Sequence, residues 1–241
     1  MADERNRFLE NLGARRFAPR KEATEPIPEK GYKRFFFILG THFWKLISLN
    51  LLFLLFCIPV ITIPAAFCGL NRVLIKLYRE GNCFVWTEFI KEFRANMWKA
   101  LPFGLIGALV LFSSYYFLSL SISISPDHTD IFTAAMGLLL LFFAVLFLSY
   151  VFVFLPTLDL KNKEIARNAF VLLITQWKTN LVILLSVAAS ALFTAALYPY
   201  SLVFLLLFTA SFQQYIICTA INTPLQAKII GPYEEQNKKS E

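Results

Sequence analysis

The sequence predicts an all-α, polytopic membrane protein with about five transmembrane helices and additional cytoplasmic amphipathic helices. Composition is the first reason, because 57% of the 241 residues are hydrophobic and only 16% are charged, whereas soluble domains carry roughly a quarter charged residues. The second reason is distribution. The apolar residues are collected into runs of the ~20 residues that cross a ~30 Å hydrocarbon core as a helix.

Three regions are expected along the chain. Residues 1–30 mix charges of both signs with prolines and predict a basic cytoplasmic tail without fixed structure; a short amphipathic helix over 5–17 is the alternative. Residues 31–224 predict one helical membrane domain, and residues 225–241 predict a polar cytoplasmic tail. The polar stretch before the first apolar run is longer than the n-region of a cleavable signal peptide, so no such signal is expected here.

The first apolar run, residues 46–67, contains Pro59 and Pro64. Proline removes a backbone donor and clashes with the carbonyl four residues earlier, so a straight continuous helix is not expected here. Backbone groups freed in lipid need protein or water partners. The run is therefore predicted to be either a kinked span or a re-entrant turn that packs against other helices.

The rest of the chain alternates between charged amphipathic segments and apolar runs. Residues 68–99 and 157–178 are the amphipathic segments, and the turn at 125–130 has no Lys or Arg. The remaining predicted spans are residues 101–125, 131–155, 181–198 and 200–221.

The distribution of Lys and Arg predicts the topology, since positive segments stay in the cytoplasm. From residue 101 onward the charges agree with a cytoplasmic C-terminus. The N-terminal part conflicts, because ten Lys and Arg precede residue 46, six more lie in 68–99, and one simple span would separate the two groups. A hairpin at the proline pair would place both groups inside. An external N-terminus is the alternative.

The dipeptide Trp-Lys stands at the entrance of three apolar runs, where the indole suits the headgroup level and the lysine suits the cytoplasmic side. Two of these runs also share a context of amphipathic segment, span, tight turn and return span. This indicates a parallel repeat of helical hairpins, although apolar spans also resemble one another by chance. The pairs are Trp44-Lys45, Trp98-Lys99 and Trp177-Lys178.

Polar and small residues inside the spans are the candidate contacts. An amide in hydrocarbon is costly without a partner, so these side chains are expected to meet either a ligand or a neighbouring helix. Small residues let helices approach closely; the stripe at four-residue spacing in 181–198 predicts a central helix with several neighbours. The candidate ligand or partner contacts are Asn50, Thr62, Gln213 and Gln214, and the helix-packing candidates are Gly104, Gly107, Ser186, Ser190 and Thr194.

No catalytic or metal-binding pattern is present in the sequence. The spans from residue 101 onward lack Asp, Glu, Lys, Arg and His, and the two histidines, His42 and His128, lie far apart. No HExxH, GxSxG or Walker A motif occurs, and the four cysteines form no CxxC pair. We therefore expect no enzyme, metal or cofactor. The positive charge follows the membrane topology and does not indicate nucleic-acid binding.

Residues 54–100 carry a resemblance to a family. The run LLFCIPVITIPAAFCGLNRVLIKLYREGNCFVWTEFIKEFRANMWKA resembles the signature of the YesL-like family of bacterial membrane proteins, a domain of unknown function. The matching features are a Pro-Val-x-Thr-Ile core, a basic helix, a glycine break and a phenylalanine-rich segment. The family often has a glycine between that isoleucine and its second proline, whereas this chain goes directly from Ile63 to Pro64. The resemblance marks Pro59, Pro64, Asn71 and Arg72 as the signature hinge.

The resemblance implies a place in the bacterial plasma membrane and an association with carbohydrate ABC importers, beside which such proteins are often encoded. The first hypothesis is a non-enzymatic accessory or scaffolding protein whose partners are the lipid bilayer, importer subunits or a second copy of itself. The alternative is a transporter or channel for sugars or small solutes. A lipid- or glycan-modifying enzyme ranks third.

Overall fold

The computed structural model describes residues 31–123, 130–198 and 200–226, which are almost entirely helical, with no described residue in a β-strand. The chain divides into two units, residues 1–37 and 38–241, and helix α1 begins at Tyr32 in the first of them. The helices are α1 Tyr32–Thr41, α2 Phe43–Cys57, α3 Ile63–Glu80, α4 Val85–Ser123, α5 Ile131–Phe154, α6 Asn162–Thr175, α7 Trp177–Ala196, α8 Ser201–Phe204 and α9 Ala210–Leu225, with a π-helical segment at Leu205–Thr209.

Four stretches of the described chain are long and apolar enough to cross a membrane: Val60–Glu80, Val85–Ile122, Ile131–Phe154 and Trp177–Ala196. The number rises to five when α1 and α2 are counted together as one span. This agrees with a multi-pass helical membrane protein. The predicted span at 200–221 is not among them, because the π-helical segment divides this part of the chain.

The first apolar run reverses direction at its prolines. The Phe53 and Phe67 rings lie 5.0 Å apart across the pair of helices α2 and α3. At the far end, His42 Nε2 lies 2.5 Å from the carbonyl oxygen of Gly81. Helices α2 and α3 therefore form an antiparallel hairpin, which is the folded-back form of the two that the sequence left open.

Two details explain the reversal. Pro64 stands at the start of α3, where a backbone N–H is not needed, so this proline begins a helix. The Thr62 hydroxyl donates to the carbonyl oxygens of Phe56 and Pro59, at 2.5 and 2.6 Å. These bonds close the turn, and the first of them satisfies a carbonyl in the last turn of α2.

Helix α3 is the centre of the molecule and contacts α2, α4, α5 and α9. In its most apolar window, 56% of the residues are buried, against 11% for α7. The sequence predicts 181–198 as the central helix, which is wrong, because α3 holds that position. The cytoplasmic position expected for the amphipathic segments in 68–99 stays a prediction. The polar side chains of α3 are used by neighbouring helices, which allows this helix to be amphipathic and central together.

Helix α4 continues from the charged segment into the apolar one. It spans 39 residues, about 58 Å at 1.5 Å per residue, and includes Pro102. The sequence predicts two elements that meet near residue 100. That boundary is wrong because only the polarity changes there, while both segments have the helical period.

Helices α4 and α5 form a second antiparallel hairpin. The Ser114 hydroxyl donates to the Gly137 carbonyl oxygen at 2.8 Å, and the bond is buried. Gly107 is packed against Leu148, so that an added Cβ would lie 2.7 Å from a leucine methyl group. Helices α7 and α9 form a third pair. A repeat relating these last two hairpins stays a prediction.

Candidate functional site

A cavity of about 350 Å³ lies between α7 and the chain that returns beside it. Three residues singled out from the sequence meet here, Ser186 and Ser190 from α7 and Gln213 from α9. Small side chains on α7 leave the space that the cavity occupies. The other lining residues are Ala189, Phe193, Phe204, Phe208, Thr209, Phe212 and Ile216.

Phenylalanine rings form much of the cavity wall. Phe208 and Phe212 are stacked with centroids 5.0 Å apart, and Phe193 meets Phe204 edge-on at 5.8 Å. Phe208 and Thr209 belong to the π-helical segment. Such segments are rare and occur frequently at functional sites.

Two of the hydroxyl groups of α7 are satisfied by their own helix. Ser186 Oγ donates to the Ile183 carbonyl oxygen at 2.8 Å, and Thr194 Oγ1 donates to the Ser190 carbonyl oxygen, also at 2.8 Å. The Gln213 carboxamide differs, since it lies half-buried at the cavity wall and forms no hydrogen bond with a described residue. It is therefore able to bind a ligand here, as are the Ser190 and Thr209 hydroxyls that share this wall.

The other amide of the pair, Gln214, does not share the cavity. It is buried on the opposite side of α9, on the face that carries the buried Ser211 and Cys218. Successive helix residues are about 100° apart around the axis. The two glutamines therefore do not line one path.

Asn50 and Thr62, the remaining candidate contacts, are used inside the fold. Asn50 Oδ1 accepts from the backbone N–H of Ser211 at 2.9 Å, a buried bond that joins α2 to α9 just after the π-helical segment. Thr62 closes the proline turn, as described above. Both side chains have a structural partner.

The signature residues of α3 bind three neighbouring segments. Asn71 is fully buried. Asn71 Nδ2 donates to the Phe152 carbonyl oxygen at 2.8 Å, and Asn71 Oδ1 accepts from the Cys218 thiol at 3.1 Å. Arg72 donates to the Pro156 carbonyl oxygen at 3.2 Å. These residues hold α5 and α9 against the central helix.

An ion network continues along the same side of α3. Lys76 Nζ lies 2.7 Å from a carboxylate oxygen of Glu88, and Arg72 Nε lies 3.8 Å from one of Glu92. One turn further, Arg79 Nε donates to Asn222 Oδ1 at 2.8 Å. The sequence indicates these charges but not their partners, because the pairs form between helices. The spacing of Arg72, Lys76 and Arg79 is the signal that they share a face.

A second cavity, of about 520 Å³, lies where the proline turn meets the α4–α5 hairpin. Its lining is apolar and includes Pro64 and Gly104. A Cβ added to Gly104 would lie 2.1 Å from Cγ of Pro64, so only glycine permits this approach. At the tip of the turn, Ile58, Val60 and Ile61 are exposed.

The three Trp-Lys pairs have exposed indoles, with 79% of Trp44, 77% of Trp98 and 67% of Trp177 accessible. Each lysine has a different partner. Lys45 Nζ lies 2.5 Å from Asn82 Oδ1, and Lys99 Nζ lies 3.5 Å from a carboxylate oxygen of Asp159. Lys178 Nζ lies 5.7 Å from the centroid of the Trp177 ring.

Among the described residues, no three His, Cys, Asp or Glu side chains are grouped to hold a metal ion.

Residues 46–116 match the family model described as "Protein of unknown function, DUF624". This segment contains most of α2, the proline turn, α3 and the larger part of α4, and so includes the hinge and the ion network. No curated protein and no solved structure matches the chain. The chain is therefore similar, over its central helix and that helix's neighbours, to a family for which no function is described.

Proposed function

We propose that this chain is a non-enzymatic accessory or scaffolding protein of the bacterial plasma membrane, and that it binds another membrane protein through α7. The observation that supports this is the outward face of α7, where Ala188, Ala191 and Ala195 are all exposed. These residues lie on the side of the helix away from the cavity. Within α7, Thr179 and Ile183 are the buried residues.

The physical reason lies in how helices associate in lipid. Lipid tails are as apolar as leucine, so association depends on close van der Waals packing, which small residues permit. A row of alanines that the described part of the chain leaves uncovered offers that packing to a helix from another protein. A scaffolding protein needs such a face.

The resemblance to the YesL-like family suggests the partner. It favours the membrane subunits of a carbohydrate ABC importer, and a second copy of this chain is the competing occupant. Both would present a transmembrane helix to the same alanine row.

Affinity purification of the full chain from its native membrane in mild detergent tests the proposal. Wild type is expected to recover importer subunits in fixed stoichiometry. Ala191→Leu with Ala195→Leu should lose them, because leucine prevents close approach, while Ala196→Leu makes the same change on another side of the helix and should retain them. Recovery of only free monomer from wild type would contradict the proposal.

The proposed topology places both ends of the α2–α3 hairpin, and the C-terminus, on the cytoplasmic side. Its support is the antiparallel hairpin, which returns the charged stretch 68–99 to the side of the N-terminal charges and removes the conflict in charge distribution. Reporter fusions at residues 1 and 82 should give cytoplasmic signals. Signals from opposite sides would show that residues 46–67 cross once.

The competing function is a transporter or channel for sugars or small solutes, and the cavity with Gln213 is the observation that favours it. Gln214 lies outside that cavity, which leaves a single amide for any polar path. Uptake of labelled oligosaccharides by proteoliposomes that contain this chain alone would establish it. No flux above empty vesicles, across a panel of sugars, would exclude sugar transport.

A further inference from the structure

The cavity between α7 and α9 has the features of a ligand site, independent of the outward alanine row. Its volume of about 350 Å³ lies at the lower end of the range for small-molecule sites, which are mostly apolar with few polar groups. The described lining residues include no charged side chain. A charged ligand would have no counter-ion there, so the cavity favours an uncharged molecule.

Gln213 decides what the ligand must carry. Its carboxamide has one acceptor and two donors and forms no hydrogen bond with a described residue. In an apolar surrounding, such a group gains from a partner oxygen. A ligand with one hydroxyl or carbonyl group would provide a partner for it, whereas a plain hydrocarbon would leave it unpaired.

With Trp177 at the headgroup level, as the sequence predicts, bulk phospholipid does not supply that oxygen at this position. The cavity lies beside Ser186 and Ser190, nine and thirteen residues after Trp177, which is about 14–20 Å along the helix. Ester groups of phospholipids lie at the boundary of the ~30 Å hydrocarbon core. At the depth of Gln213, an ordinary phospholipid presents only methylene groups.

We propose that this cavity binds an uncharged, lipid-soluble molecule with an apolar body and a single hydroxyl or carbonyl oxygen. The Gln213 carboxamide binds the oxygen. The rings of Phe193, Phe204, Phe208 and Phe212 enclose the body. The small side chains of α7 provide its space.

The test compares farnesol with farnesene, the matched hydrocarbon without the hydroxyl, on the full chain in nanodiscs. A photoreactive farnesol analogue should label α7 or α9 in wild type, as mapped by mass spectrometry. Farnesol should compete at least about tenfold better than farnesene, the value of one hydrogen bond. Gln213→Leu should weaken farnesol by the same factor and leave farnesene unchanged.

Two variants of adjacent alanines serve as the matched pair. Ala189→Leu fills the cavity and should abolish labelling, whereas Ala188→Leu makes the same change on the outward face and should not affect it. Equal competition by the two probes in wild type would mean that the cavity takes bulk acyl chains, and labelling that survives Ala189→Leu would place binding elsewhere. Either result overturns the proposal. Since the alanine row is on the opposite face, neither bears on the scaffolding role.

Discussion

Helices α3 and α7 are both long and apolar enough to cross a membrane, yet the fold uses them in opposite ways. Helix α3 touches four other helices, and 56% of its most apolar window is buried; for α7 the value is 11%. Their polar residues differ in the same sense. Those of α3 bond to other helices along its length. In α7, Asn180 near the start bonds to Tyr150 and Leu173 of other helices, but further along Ser186 and Thr194 bond to carbonyls of α7 itself.

The comparison shows what makes a helix central in a protein of this composition. Apolar area does not separate the two helices, because lipid covers it as well as protein does. Long polar side chains that reach beyond their own helix require a neighbour, and α3 carries four of them within nine residues, Asn71 to Arg79. Small hydroxyl residues require none.

The largest effect is expected where α4 meets the start of α3. Gly104→Ala would place a methyl group against the rigid Pro64 ring and should destabilise the fold by about 2 kcal/mol, the usual cost of overpacking. Thermal unfolding in detergent measures it. Gly40→Ala is the control, since nothing lies within 4 Å of its added Cβ and alanine is the better helix former. Equal stability of the two variants would show that Gly104 and Pro64 do not lie in close contact.

The next effect compares a polar side chain from each helix. Asn71→Leu deletes two buried hydrogen bonds between helices and should cost about 1–3 kcal/mol. Ser186→Ala deletes a bond within α7 and should change the melting temperature little. A larger fall in melting temperature for Ser186→Ala than for Asn71→Leu would show that α7, and not α3, is the helix more tightly held by its neighbours.

Helix content, the membrane class and a disruption at Pro59 and Pro64 could be predicted from the sequence, because each follows from local composition and backbone chemistry. The central position of α3 could not, since Arg72 and Lys76 look like solvent-facing charges until α4 supplies Glu88 and Glu92. The length of α4 could not be predicted either, because the change in polarity near residue 100 resembles the end of a helix. For the cavity, Gln213, Ser186 and Ser190 were each indicated, but their meeting depends on how α7 pairs with α9.

A smaller effect is expected in the ion network of α3. Glu88→Gln weakens the pair with Lys76 at 2.7 Å and should cost about 1 kcal/mol or less, because both groups remain partly exposed. Glu80→Gln acts on the same lysine from 3.9 Å with a more exposed carboxylate and should cost less. Added salt should reduce the difference between the variants. A difference that persists in salt would assign the effect to packing.

The last effect is on reactivity and concerns Cys83, in the turn that joins α3 to α4. Desolvation by burial raises the pKa of this thiol from about 9 to about 11, and its sulfur lies 3.8 Å from the Val73 carbonyl oxygen. At pH 7.5 this lowers the thiolate fraction about a hundredfold, and the higher intrinsic nucleophilicity of a more basic thiolate restores about tenfold. Iodoacetamide should therefore modify Cys83 about tenfold more slowly than in the unfolded chain, as measured by peptide mass spectrometry.

The pH profile distinguishes a raised pKa from simple steric protection. In the folded chain, the rate for Cys83 should rise about tenfold per pH unit past pH 9 and level off only near pH 11, since the thiolate fraction keeps increasing over that range. In the unfolded chain the rise should end near pH 9. A folded-state rate that is low but levels off at the same pH would show that the turn blocks access without desolvating the sulfur. The packed environment of α3 would then end before residue 83.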